Sequence, residues 1–325
     1  MKLEDISIMA WLQEYGLKTE KGYPLDFKDH LFLFEPYRDE SPFQVTYKAA
    51  QIGYTTMAIF KTIYVAKKRG LEIIYTFPTE SDVTTFVNGK VNRIIRQNSI
   101  LQEYTKDKDR VEQKQMGDSM IYYRGTFTSR AALSVTADLL VHDEIDFSDQ
   151  QVIEEYESRL QHSKYKWKWV FGHPSSEGVG VSRYWQKSDQ KHWFVKCKCG
   201  KEQYLDFPDS ICLERKIYQC KYCRKEITND QRKSGRWIKK YKDKEWSGYW
   251  IPLLIAPWIT AKEILEYKKD KGDEYFWNRV LGLPFVGSGN KVTQDDILGN
   301  LNSGHNSQGG RVVIGVDTGL KLQIP

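Results

Sequence analysis

From Phe43 to Ser175 the chain alternates strand-like and helix-like segments, and no other feature of the sequence narrows the fold so far. FQVTYK (43–48) is a short β-rich run. Thr55 to Arg69 then carries apolar residues at Met57, Phe60, Ile63 and Tyr64, the spacing of one helix face, with Gly70 as a stop. LEIIYTF (71–77) is a second strand pattern that ends at Pro78, and a helical pattern follows through Arg96. SMIYYRG (119–125), DLLVHDE (138–144) and WKWVFGH (167–173) supply further strands. Strands in rotation with helices build βαβ units, so the expected fold is α/β, with a mainly parallel central sheet flanked by helices.

Composition limits what such a chain can be. With 325 residues it exceeds one ordinary core and is expected to divide into domains. At 40% hydrophobic and 28% charged residues it falls in the soluble globular class. No apolar run is long enough to span a bilayer, and the broken, acidic start MKLEDISIMAWLQEYG does not read as a secretory signal. A net charge of +6 permits a polyanionic partner without requiring one. The aromatic load is heavy, and KYKWKWVF (164–171) interleaves it with lysine. Such a run suits base stacking, but an alternating strand with one buried face explains it more simply.

All five cysteines fall between 197 and 223, an arrangement that points to metal instead of disulfides. Cys197-x-Cys199 and Cys220-x-x-Cys223 form two short knuckles, and four thiolates so spaced suit a tetrahedral structural Zn²⁺ site. The first pair is tighter than the usual C-x-x-C, which leaves Cys212 as a substitute ligand. A zinc-ribbon-like insertion of this kind either touches DNA or braces the fold, and bracing is the simpler role.

YKAAQIGYTTMA (47–58) joins the first strand to the first helix. It is close to the phosphate-binding pattern G-x-x-x-x-G-K-[ST], whose N–H groups cradle phosphates, but its lysine is displaced. Gly53 is followed by Tyr54 and Thr55, and Lys48 stands at the beginning of the loop. Lysine acts here as a positioned point charge, so it can serve from the strand end. Thr55, at the start of the helix, is placed to hold Mg²⁺. Alone, the loop reads more simply as a strand–turn–helix with an ordinary surface lysine. Further along, ADLLVHDEID is an apolar strand ending in Asp143 and Glu144, where one acid can organise Mg²⁺ and its neighbour can orient water. WKWVFGHPSSEG then ends a strand at Ser175 and Ser176. The histidines His30, His142, His162, His173, His192 and His305 show no ligand or triad spacing.

In this order the motifs resemble the ATPase of the phage terminase large subunit, in its lambda-type (GpA-like) form, a P-loop NTPase. The similarity extends over YTFPTESDV, GTFTSRAALSVTADLLVHDEID, GHPSSEGVGVSRYW, the paired cysteines and YWIPLLIAPW…FWNRVLGLPF, about residues 40 to 285. It implies a motor that spends ATP to push double-stranded DNA into a procapsid through the portal protein. The implied setting is a homo-oligomeric ring in the host cytoplasm, with a small terminase subunit as partner and no membrane.

Carried over, Lys48, Gln51, Gly53, Tyr54 and Thr55 contact ATP, and Gln44, beside Phe43, occupies the adenine-contacting segment. Asp143 and Thr55 hold Mg²⁺, Glu144 is the catalytic carboxylate, and Ser175 and Ser176 form the coupling motif. Gln51 stands where the family loop commonly has arginine, so the transition-state cation is sought elsewhere, at Arg130 or Arg159. VVIGVDTG, with Asp317, resembles the first strand of an RNase H-like nuclease whose remaining acids the chain lacks, so nuclease activity is not expected.

The expected organisation is an N-terminal segment (1–40), the ATPase core (41–194), the cysteine insertion (195–226), a further ATPase part (227–286), a Gly/Asn/Ser-rich linker (287–310) and the nuclease strand (311–325). Two other readings are a non-catalytic DNA- or protein-binding scaffold on a degenerate nucleotide fold, and a helicase-like ATPase.

Overall fold

The computed structural model describes residues 6–105, 109–128 and 135–285. Arg130, the 287–310 segment and Asp317 lie outside the described residues.

The strands are β1 (Phe43–Lys48), β2 (Ile73–Phe77), β3 (Gln113–Met116), β4 (Ser119–Gly125), β5 (Leu139–Asp143) and β6 (Trp167–Gly172). They continue with β7 (Lys191–Lys196), β8 (Glu202–Tyr204), β9 (Ile211–Cys212), β10 (Ile217–Tyr218), β11 (Arg236–Ile238) and β12 (Ser247–Ile251). One sheet runs in the order β11-β7-β12-β1-β6-β5-β2-β4-β3, with β8 added to β7. Pairing is parallel from β7 through to β4. Antiparallel β3, β8 and β11 finish the sheet at its margins.

The strands β2, β5 and β12 are buried at every residue, as a parallel sheet covered on both faces requires. Alternate side chains feed two layers. Ile73, Tyr75, Leu139, Val141, Trp169 and Phe171 join the larger core, with Met57, Phe60 and Ile63 of the helix Tyr54–Arg69. Val45, Tyr47 and Val170 enter a second cluster, and Ile74 and Leu140 a third. Each large apolar side chain so buried contributes roughly 1.5–3 kcal/mol.

Two glycines delimit the helix Tyr54–Arg69, hereafter the loop helix. Gly53 (φ +79°) precedes it and Gly70 (φ +66°) follows it, both in the left-handed region that other residues enter at a cost. Lys67, Lys68 and Arg69 fill its last turn, where the helix dipole favours cations. The N-terminal segment packs on this helix. Trp11 is fully buried against Phe60 and Tyr64, and the Tyr64 hydroxyl donates to Ile6 O (2.6 Å). Inside the contact, the buried Lys61 ammonium donates to Pro36 O (2.7 Å) and Gln44 Oε1 (2.6 Å). Burial lowers its pKa to about 8.

The helical stretch after Pro78 starts with a Thr79–Asp82 capping box and passes through a π-helical segment, Val87–Val91, before resuming over Asn92–Gln97. The region after the cysteines supplies β12, which lies inside the sheet between β1 and β7.

The cysteine segment lies between β7 and β11, and its β8 stays paired with β7. Sγ of Cys197 lies 3.7 Å from that of Cys223, and Sγ of Cys199 lies 3.8 Å from that of Cys220. All four sulfurs lie within 4.8 Å of one another. A tetrahedron with Zn–S bonds of about 2.3 Å has edges of about 3.8 Å, so the quartet fits zinc, and the sulfurs are too far apart for disulfides. Cys212 sits in β9, outside the quartet.

Arg232 secures this segment to the core. Its buried guanidinium donates to the carbonyls of Leu254, Ala256, Pro257 and Ile259 and covers the Tyr218 ring at 4.0 Å. The quartet is expected to carry about one equivalent of zinc by elemental analysis. Cys220→Ser is expected to lose the metal and to melt at least about 5 °C lower than wild type by calorimetry.

Candidate active site

The strand order brings the ends of β1, β5 and β6 together, with Asp143 beside Phe171 and Tyr47 beside Gly172. In an open α/β sheet, ligands bind at this carboxyl edge. Lys48 and Asp143 are the last residues of their strands and point to the face carrying the loop helix. They meet there: Lys48 Nζ lies 3.8 Å from Asp143 Oδ1 and pairs closely with Glu144 Oε1. Lys48 and Asp143 are 5% and 2% exposed, which makes this a buried charge cluster.

The charges set one another's protonation. Burial raises the Asp143 carboxyl to about 7, against the opposing pull of Lys48. Burial acts the same way on Glu144, but Lys48 and His173 outweigh it and hold that carboxyl well below the usual range. Burial also works against the Lys48 ammonium, yet the two carboxylates raise its pKa.

Backbone geometry fixes the cluster. Glu144 adopts a left-handed conformation (φ +56°, ψ +43°), which costs a non-glycine residue roughly 1–2 kcal/mol. Its N–H donates to Phe171 O (2.9 Å), and Gly172 lies so close that a Cβ there would come 3.3 Å from the Glu144 Cα. The loop is anchored at its entry, where Ala49 N–H donates to Ile251 O and Ala50 N–H to Arg279 O, each at 2.8 Å. It then turns through Gln51 (φ +58°) and Gly53. At φ +79° Gly53 takes a conformation that a side chain would strain.

These residues face a cavity of about 660 Å³. Lys48, Gln51, Gly53, Tyr54, Thr55, Glu144, Lys90, His173 and Arg279 line it, and Thr19 to His30 supply part of its wall. Helix geometry leaves the first-turn N–H groups unpaired at the same mouth. A cavity of this size suits a small ligand, and Lys48, Lys90 and Arg279 on its wall suit negative charge. The Asp143 Oδ1 is buried without a hydrogen-bond partner, while Oδ2 accepts from the Tyr75 hydroxyl (3.1 Å). A buried carboxylate oxygen without a hydrogen-bond partner among the described residues is a hard donor of the kind Mg²⁺ takes, and Thr55 on the cavity wall carries a hydroxyl of the same kind.

Some expected site residues are elsewhere. Gln44 does not line the cavity: its amide donates to Asp39 O and Ser41 O (both 2.8 Å), and its carbonyl is taken by Lys61. The Tyr54 hydroxyl shares a buried hydrogen bond with Thr46 (2.7 Å), so Tyr54 reaches the cavity as a wall and not through its oxygen. Arg159 bonds Ser158 Oγ (2.7 and 3.0 Å), and its carbonyl accepts from Ala137 before β5 begins. That is the opposite edge of the sheet from Asp143, out of reach of this chain's own cavity. Ser175 donates through its N–H (2.8 Å) and hydroxyl (2.9 Å) to Asp146 Oδ1, and Val181 N–H donates to Oδ2 (2.9 Å). Ser176 follows Ser175 in the same turn.

Three site residues escaped the sequence reading: His173, Arg279 and Asp146. His173 Nδ1 lies 2.7 Å from Glu144 Oε2. Arg279 comes from the π-helical segment Phe276–Leu281 and rests on the Phe147 ring at 5.7 Å. Of the three, only Asp146 stood inside a quoted motif close to the acids.

Among the described residues no helix is long and apolar enough to cross a membrane. Among curated proteins nothing matches the chain. Among solved structures, the large terminase ATPase domain of Thermus phage P74-26 is similar in fold, with a TM-score of 0.53 at 12% identity over 82% of this chain and 96% of that one. The large terminase of bacteriophage HK97 aligns at a TM-score of 0.45 and 12% identity, over 55% of this chain and 39% of that one. The large terminase of a thermophilic bacteriophage, in complex with ADP, aligns at 0.49 and 10% identity, over 79% and 53%. Residues 42–239, which carry the loop, the paired acids and the cysteine quartet, match the family of the phage terminase large subunit gpA, ATPase domain. The chain therefore belongs to the phage terminase large subunit gpA ATPase-domain family.

Proposed function

We propose that the chain hydrolyses ATP and that the turnover drives double-stranded viral DNA into a procapsid. The observation that carries this reading is the meeting of Lys48 with Asp143 and Glu144 at the edge of a cavity that Lys48, Glu144 and the loop line. Lys48 would meet the β/γ-phosphates, and the first-turn N–H groups of the loop helix would cradle them. Asp143 and Thr55 would hold Mg²⁺, which when bound neutralises developing charge on the phosphate oxygens.

Glu144 would orient the attacking water and take its proton. The water oxygen bonds to the γ-phosphorus as the bond to the β–γ bridging oxygen breaks, and that oxygen leaves with the electron pair on ADP. Arg279 would supply the stabilising cation that Gln51 cannot.

Coupling would run through Asp146, which stands two residues after Glu144 and holds the Ser175 turn at the end of β6. A γ-phosphate lost at Glu144 would thereby reach the loop before Val181. The remaining partners on this reading are the portal protein, a small terminase subunit and further copies in a ring, working in the host cytoplasm.

The test is steady-state ATP turnover with and without linear double-stranded DNA. Lys48→Ala and Glu144→Gln are each expected to lower kcat at least about 100-fold, with nucleotide binding retained in Glu144→Gln and weakened in Lys48→Ala. Equal rates in all three proteins would instead favour a scaffold. Arg279→Ala is expected to cost roughly 10- to 1,000-fold in kcat while thermal stability holds. The loop anchor at residue 279 is a backbone carbonyl, which the substitution leaves in place.

A further inference from the structure

Both oxygens of the Glu144 carboxylate are engaged, by partners of different kinds. Oε1 pairs with the Lys48 ammonium. Oε2 faces the His173 ring at Nδ1 (2.7 Å) and accepts the His173 backbone N–H (3.3 Å). Any phosphate entering the cavity competes with Oε1 for Lys48, because that ammonium lines the space the phosphate would fill. His173 holds the other oxygen, Oε2. It follows Gly172 at the end of β6 and precedes Pro174, and only 5% of it is exposed.

Among the described residues its Nε2 is buried without a hydrogen-bond partner, and the hydrogen bond of the imidazole there is the one from Nδ1 to Glu144. Buried histidines kept for packing ordinarily satisfy both nitrogens, since an unmet polar atom costs about 1–3 kcal/mol. Here one nitrogen is committed to the carboxylate.

We propose that His173 is the positioning residue for Glu144. It retains the carboxylate through Oε2 when phosphate draws Lys48 away, and so leaves Oε1 aimed to receive the proton of the attacking water. Glu144 thus has a fixed partner and an exchangeable one. The inference rests on the ATPase reading above.

The test exploits the distinct positions of the ring nitrogens. An asparagine amide ends one bond beyond Cγ, where Nδ1 lies, and a glutamine amide ends near Nε2. His173→Ala is expected to lower kcat about 10- to 100-fold, with KM and ADP affinity by calorimetry changed less than about threefold. His173→Asn is expected to recover to within about threefold of wild type, and His173→Gln to remain as slow as alanine.

Wild-type turnover no faster than that of Glu144→Gln would remove the ATPase reading and this inference with it. Normal wild-type turnover, with alanine unaffected or asparagine as slow as alanine, would remove the inference alone. A rise in KM at unchanged kcat would do the same. Should the alanine variant fail to fold, the asparagine and glutamine pair decides, and equal rates would overturn the proposal.

Discussion

One ammonium and two carboxylates share the carboxyl edge of the sheet, largely removed from water, and much of the surrounding structure exists to make that possible. A buried ion loses several kcal/mol of solvation unless partners replace the water. Lys48 and the two acids replace it for one another, and the Tyr75 hydroxyl and His173 ring complete the shell. The price appears in the backbone, where Glu144 sits in the left-handed region and Gly172 must be small enough to lie against it. The pins at Ala49 and Ala50 keep the lysine's strand end in register with the acids.

Much of this was legible in order along the chain. Short runs such as LLV within DLLVHDE declared buried parallel strands, and two glycines bounded the loop helix as their freedom at positive φ demands. Lys48 and the acids were legible because Lys48 and Asp143 close strands in one sheet, Glu144 follows at once, and parallel strands place their ends together. Arg279 and His173 were not. Arg279 enters from a helical segment after β12, and nothing in FWNRVLGLPF tells a lysine-side cation from a surface one. His173 looked ordinary because its partner is far off in sequence, and the β5–β6 pairing, not spacing, unites them.

Gln44 and Arg159 show the opposite failure, since linear proximity to a motif did not place them at it. Gln44 sits on the correct strand and face, but at the amino end it serves the Lys61 network instead. A parallel sheet has two edges, and a residue's place along its strand decides which edge it joins. Arg159 falls on the same side of that rule, tied to the start of β5 while Asp143 stands at its end.

The cysteine segment bears on the site through topology and not contact. Its quartet lies between β7 and β11, so the chain must pass through it before β12 can slot in beside β1. β12 supplies the Ile251 carbonyl that pins the loop at Ala49, and the helical segment beyond it supplies the carbonyl at Ala50 and the guanidinium of Arg279. Arg232 locks the turn that follows β12 by filling four of its carbonyls with one buried group. Removing that guanidinium would strand those acceptors at about 1–3 kcal/mol each where no water reaches them. The residues that follow the quartet along the chain thus provide the strand, the carbonyls and the guanidinium that shape the loop's side of the cavity.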